Sequence, residues 1–197
     1  MAAKGYTTKA ALENYGLIEI DNSFDDQIDT WIEEIERYIE QFTGRVFIAD
    51  ETATARRFDG NGEDTMLVDD FIDLDSVVIK DTEGTTLDTV PAANIFLYPA
   101  NTLPKTKITL YNYLFTLGLQ NIYITAQWGY SAAVPSDIRL ATTILVTGII
   151  NFGKGTNKSN VRSETIGRYS VSYGDEKGWQ DFARAINIIE SYKKYAF

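Results

Sequence analysis

Histidine and cysteine are both missing from this 197-residue sequence. Without cysteine there is no disulfide, thiolate nucleophile, zinc knuckle or iron–sulfur cluster. Without histidine, a Ser-His-Asp triad and an imidazole metal site are excluded as well. Any catalysis would have to run on carboxylates, lysine, tyrosine or a hydroxyl. Basic residues are outnumbered: 18 Lys and Arg face 28 Asp and Glu, a net charge of −10. That balance argues against wrapping nucleic acid, because neutralising phosphates needs a surplus of cations. Long apolar helices are missing too. The longest uncharged run inside a helical pattern, Leu140 to Gly153, has 14 residues, short of the roughly 18–20 that cross a bilayer. Met1-Ala-Ala-Lys-Gly-Tyr6 lacks the apolar stretch of a signal peptide, so no targeting segment is expected and cytosolic synthesis is the default.

What remains is an ordinary globular composition, 44% apolar and 23% charged, which can bury a real core. The charge is unevenly spread. Residues 1–43 carry 3 basic and 10 acidic side chains, residues 44–149 carry 7 and 13, and residues 150–197 carry 8 and 5. An acidic front and a mildly basic back suit head-to-tail contact between copies, although a solvated surface needs no partner.

Phe24, Ile28, Trp31, Ile32, Ile35, Ile39 and Phe42 recur at helical spacing and predict one long helix. Ser23 is the expected cap, Asp25 and Asp26 suit the positive end of the dipole, and Gly44 suits the left-handed stop. A shorter helix is expected from Thr8 to Tyr15, stopped by Gly16. Between about 45 and 130 the period changes to two. Short strands are expected around Arg57-Phe58, Met66 to Val68, Ser76 to Ile79, Thr86-Leu87, Ile95 to Tyr98, Lys107 to Tyr111 and Ile122 to Trp128. Asn61-Gly62 signals a hairpin turn between the first two. Helix returns at Pro135, and the segment to Phe152 is apolar around most of its circumference, so it belongs in a core or against another subunit. Residues 156–163 are expected to form a polar loop, Arg168 to Tyr173 a strand, and Glu176 to Tyr195 a closing helix striped by Trp179, Phe182, Ile186, Ile189 and Tyr192.

Motifs for chemistry are weak. Gly148-x4-Gly153-Lys154 lacks the Ser or Thr after the lysine and the preceding strand that a phosphate loop requires, so a helix end is the better account. Asp59-x-Asn61-x-Glu63 with Asp70 lacks the glycine and the bidentate glutamate of a calcium loop. Asp69, Asp70, Asp73 and Asp75 are the densest carboxylates, but no apolar neighbours raise one of their pKa values for acid–base work; turns and an acidic surface explain them. Tyr98, Tyr111, Tyr113, Tyr123, Trp128 and Tyr130 suit sheet packing or an interface better than base stacking, for want of interleaved cations.

Four stretches in consistent order resemble one family. They are Tyr38-Ile-Glu-Gln-Phe-Thr-Gly-Arg45, Arg57-Phe-Asp-Gly-Asn-Gly62, Val134-Pro-Ser-Asp-Ile138 with Ala141, and Glu164-Thr-Ile-Gly-Arg-Tyr-Ser-Val-Ser-Tyr173. Together they resemble the head–tail connector (adaptor, or head-completion) proteins of tailed double-stranded DNA bacteriophages. The resemblance implies an α+β fold that is mainly a helical bundle, with an antiparallel β-rich insertion at 45–130 inside a single connector domain, 1–197. It implies a structural virion protein rather than an enzyme, with no cofactor and no metal. Its partners would be itself, as a dodecameric ring, the portal protein, and the next neck or tail component. DNA would pass through the channel without specific binding, and no membrane is involved. The virion neck would be its place, after synthesis in the host cytoplasm. Portal or subunit contacts are expected at Lys154, Lys158, Arg162, Trp179, Tyr192 and Tyr195. Asp25, Asp26, Asp29, Glu33, Asp69 and Asp70 are expected to face the lumen or solvent. A tail-terminator or stopper protein of the neck is the related alternative; an aromatic-rich carbohydrate-binding or adhesion module is the alternative from another class.

Overall fold

The computed structural model describes residues 4–17, 19–81, 83–153, 162–166, 169–173 and 176–194. The chain divides into two compact units, one made of residues 1–45 with 134–197 and the other of residues 46–133.

The first unit holds four helices, α1 (Lys9–Gly16), α2 (Asp25–Thr43), α3 (Ser136–Gly153) and α4 (Glu176–Ser191). A hairpin of strands β7 (Arg162–Ile166) and β8 (Tyr169–Tyr173) precedes α4. The apolar α3 is its centre, packing against α1, α2, α4 and β8. That is why Ile138, Ala141, Leu145, Val146 and Ile150, on several sides of the helix, are all buried. Helix α2 buries only one stripe, Ile28, Ile32, Ile35 and Ile39, each contributing on the order of 1.5–3 kcal/mol. Gly44 closes it at φ +69°, its N–H donating to Glu40 O. Its start differs from expectation. Ser23 is not a cap; it lies in a 3-10 turn (Asn22–Phe24) whose Asp21 carboxylate accepts from Ser23 N, and α2 continues from that turn. Likewise α1 ends on Leu17 at φ +49°, one residue beyond Gly16.

The fold is not mainly a helical bundle. The second unit is a six-stranded antiparallel sheet of β1 (Thr54–Gly60), β2 (Thr65–Lys80), β3 (Thr86–Thr89), β4 (Ile95–Tyr98), β5 (Lys105–Leu110) and β6 (Gly118–Trp128). The molecule is therefore α+β, made of a sheet unit and a helical one. Local patterns underestimated the sheet because two of its expected strands are one. Met66–Val68 and Ser76–Ile79 belong to the same 16-residue β2. Along β2 the buried positions switch from even (Met66, Val68, Asp70) to odd (Val77, Ile79), and register shifts between Phe71 and Asp73 and between Leu74 and Ser76 absorb the change. Such bulges bend a strand. The first half of β2 pairs with β5 and the second with β6, and Phe71 is opposite both Lys105 and Trp128.

The strand order β1-β6-β2-β5-β4, with β3 on β2, corrects a second expectation. Asn61-Gly62 does make a turn, with Gly62 at φ +80°, but β1 and β2 do not pair with each other. Strand β6 lies between them, because its alternating Ile122, Ile124, Ala126 and Trp128 complete the inner face. Trp128 is central to this core. Its ring lies 5.8 Å from both Phe58 and Phe71, and its indole N–H donates to Thr54 O at 2.7 Å.

Candidate functional site

With no His or Cys to assemble, the functional surfaces to seek are those made for contact. Three are formed by the described residues.

The first is the exposed side of α2. Asp25, Asp26 and Asp29 are exposed there and Glu33 is half-buried. Asp25 receives Lys9 Nζ at 2.7 Å and Glu33 receives Arg37 Nη2 at 2.8 Å. Among the described residues, no cation holds Asp26 or Asp29. Phe24, 50% exposed, lies at the start of the same helix. Two turns beyond Asp29, α2 carries a buried carboxylate, Glu36, only 2% exposed. Its oxygens accept from Lys4 N at 2.6 Å and Tyr6 N at 2.8 Å, tying the N-terminal segment to the helix. Burial pushes the Glu36 carboxyl above its ordinary value of 4.5, against the pull of those N–H donors.

The second surface is the outer face of the sheet. Arg57, Tyr123 and Val78 are register partners across β1, β6 and β2. The Arg57 guanidinium lies 5.1 Å and the Lys80 ammonium 4.1 Å from the centroid of the Tyr123 ring. Farther along, Lys107 Nζ sits 4.5 Å over Tyr98. Residues 46–133 contain 5 basic and 12 acidic side chains, yet these three cations lie over tyrosines instead of beside carboxylates.

The third is segment 111–120, which joins β5 to the start of β6 and carries no charged residue. Leu114 is 54% exposed, Leu117 83% and Leu119 85%. Such exposure is costly in water and is given a purpose by contact. The segment is built rather than loose. Buried Asn121 accepts from Gly60 N at 2.9 Å through Oδ1 and donates to Thr116 O at 2.8 Å through Nδ2. Phe115 exchanges backbone bonds with the Asn61 turn, accepting from Gly62 N at 2.7 Å and donating to Glu63 O at 2.8 Å. Gly60 is obligatory here, since a methyl group would lie 1.8 Å from Thr116 O.

The expected site residues scatter over these features. Asp69 is exposed and pairs with Arg56 Nη1 at 2.8 Å. Asp70 is buried and so takes no part in an acidic surface. Neither is in a turn; with Asp73 and Asp75 they lie within β2. Asp59 and Asn61, of the calcium-like stretch, bond the backbone at Gln120 N, Glu63 N and Thr65 O. No three carboxylates converge among the described residues. No sequence motif announces the tyrosine platform or the leucine segment, although uncharged 111–120 in so acidic a chain is a visible signal.

On the basic tail, the Tyr192 hydroxyl donates to both carboxylate oxygens of Asp137, at 2.9 and 2.8 Å. Arg162 lies in β7 and Trp179 in α4. Lys154, Lys158 and Tyr195 lie outside the described residues, as does most of the expected polar loop. The aromatic residues of the sheet unit do not form one stacking platform: Trp128 is buried, Tyr130 packs on Phe47, and Tyr98 and Tyr123 lie under cations.

The sequence model of the family described as head completion protein matches residues 7–195. The chain belongs to the head completion protein family. The resemblance read from its four sequence stretches is thereby borne out, and as a head completion protein it is a structural component of the virion. No curated protein matches it in sequence. Several solved structures are similar over its whole length, among them two chains of gene transfer agent particles. One is a chain in the neck of an empty gene transfer agent particle, computed with C6 symmetry, at 13% identity and a TM-score of 0.60. The other is a chain in the virion of a native gene transfer agent particle, at 14% identity and a TM-score of 0.57. In each case 94% of the other chain is covered. At such identities the likeness is one of fold, and it extends through both units of this head completion protein.

Proposed function

We propose that this chain is a head–tail adaptor of a tailed particle, forming a ring of twelve copies beneath the portal. The ring extends the DNA channel and presents a surface to the next neck component. The observation that carries this reading is the family match across residues 7–195. The similar chain from a neck supports it, since sixfold averaging accommodates six or twelve copies. Both units act together as one connector domain, 1–197, with the sheet unit as its insertion. The physics is consistent. A channel through which DNA slides must not hold phosphate, and twelve copies at −10 bring on the order of −120 charges to the neck. The basic tail, through Lys154, Lys158 and Arg162, supplies the portal contact. The test is to mix purified chain with portal rings and image them. A ring seated on the portal is expected, with docking weakened when those three residues are reversed to glutamate. Absence of any complex with portal, at concentrations where the chain is folded, refutes the assignment.

A further inference from the structure

The outer sheet face around Tyr123 has an organisation that folding alone does not require. Two neighbouring rows of cross-strand partners, Arg57–Tyr123–Val78–Thr89 and Ala55–Thr125–Ser76, contain no carboxylate. Arg57 and Lys80 reach the ring from the strands on either side of β6. Among the described residues neither is paired with an acid, in a unit where acids outnumber bases 12 to 5. Stacking on the half-buried Tyr123 ring stabilises each cation only weakly. It does, however, hold both charges in place and leaves their outward N–H groups unspent.

We propose that this platform receives the acidic face of α2 from a second copy of the chain. Asp26 and Asp29 are exposed and, among the described residues, bound to no cation. With Glu33 they fall within roughly 60° of arc and span about 10.5 Å along the helix axis. Asp26 and Asp29 are about 4.5 Å apart along the axis, and Arg57 and Lys80 close on a single ring, so each pair presents a compact patch and the two patches are opposite in sign. A polyanion such as DNA calls for a longer row of cations than two. The overall repulsion of two acidic copies is screened beyond about 8 Å at physiological salt, while the opposed charges at the contact are not.

The contact is heterologous, sheet to helix. Each copy keeps one unused sheet and one unused helix face, so the arrangement propagates from copy to copy, as the contacts of a ring must. The inference rests on the ring reading above and names the surfaces that make the ring. The absence of native cysteine gives a clean test that leaves all four charges in place. Full-length chain carrying both Thr125→Cys and Thr30→Cys is assembled on portal rings and bridged with a short bis-maleimide. A ladder of cross-linked species up to the full ring is the expected result. In parallel, R57E/K80E weakens ring assembly at least about tenfold, the equivalent of roughly 1.4 kcal/mol, and D26K/D29K in the same chain restores it. Normal rings without a ladder, or with R57E/K80E assembling like the parent, overturn the inference while the ring reading stands. So does a change in DNA retention by R57E/K80E with assembly unaltered. If the parent chain forms no ring on portal, the ring reading itself fails and the inference with it.

Discussion

Replacing Asn121 by alanine takes away the two short amide bonds through which its side chain ties Gly60 to Thr116 of the leucine-bearing segment. The amide is 5% exposed, so water does not freely replace it. Gly60 N–H, bonded to Oδ1 at 2.9 Å, becomes a buried orphan, which costs about 1–3 kcal/mol. Thr116 O, bonded to Nδ2 at 2.8 Å, loses a bond worth about 0.5–1.5 kcal/mol net, since solvent reaches it more easily. The amide also fills the space between Gly60 and Gly118, where methyl groups would come within 2.7–3.0 Å of it. Its removal leaves a gap that two glycines cannot close. The sum is about 2–4 kcal/mol. In a unit spanning residues 46–133, each kcal/mol moves the melting temperature by roughly 4–8 °C, so a drop on the order of 15 °C is expected by calorimetry. Asn121→Asp separates the two bonds. It keeps the acceptor for Gly60 N–H but turns an oxygen toward Thr116 O, and destabilises as well. A loss below about 0.5 kcal/mol for Asn121→Ala, the range of an ordinary surface change, would refute the reasoning and show that the backbone turn stands without the side chain.

Two further outcomes follow from the helical unit. Glu36 binds its proton more tightly in the fold than in the unfolded chain, because burial outweighs the donors at Lys4, Gly5 and Tyr6 and Glu40 adds repulsion. Its contribution is therefore greatest below the unfolded value of 4.5 and is lost as pH rises through the folded value. Denaturant titrations of the parent and Glu36→Gln should give a stability difference that falls as pH is raised from about 4.5; a difference independent of pH contradicts this. Tyr192→Phe removes a hydroxyl that donates to both oxygens of Asp137. It is expected to cost about 1.5 kcal/mol, in keeping with a bond to a charged acceptor, and an unchanged denaturation midpoint would show that solvent replaces it.

Much of the helical unit was legible because its signals are local. The stripe on α2, the left-handed Gly44 and the all-round apolarity of α3 are properties of neighbouring residues, and each translates directly into burial. Absence is informative too: composition alone, without His or Cys, excludes whole classes of chemistry. The family was recognisable from short stretches in order, and the family match bears that out. The sheet was a different matter. Asn61-Gly62 predicts a turn, and a turn is what it makes. Whether the strands on either side pair with each other is decided by which third strand offers a better inner face, and β6 comes from some sixty residues away. The bulges that carry β2 past Asp69–Asp75 likewise exist only because two partners must be met in succession. Composition announced an acidic chain with a basic tail. That Arg57 and Lys80 close on one tyrosine ring, and that three leucines are held out to solvent by a buried asparagine, depends on registers and long-range hydrogen bonds that pairwise spacing along the chain does not encode.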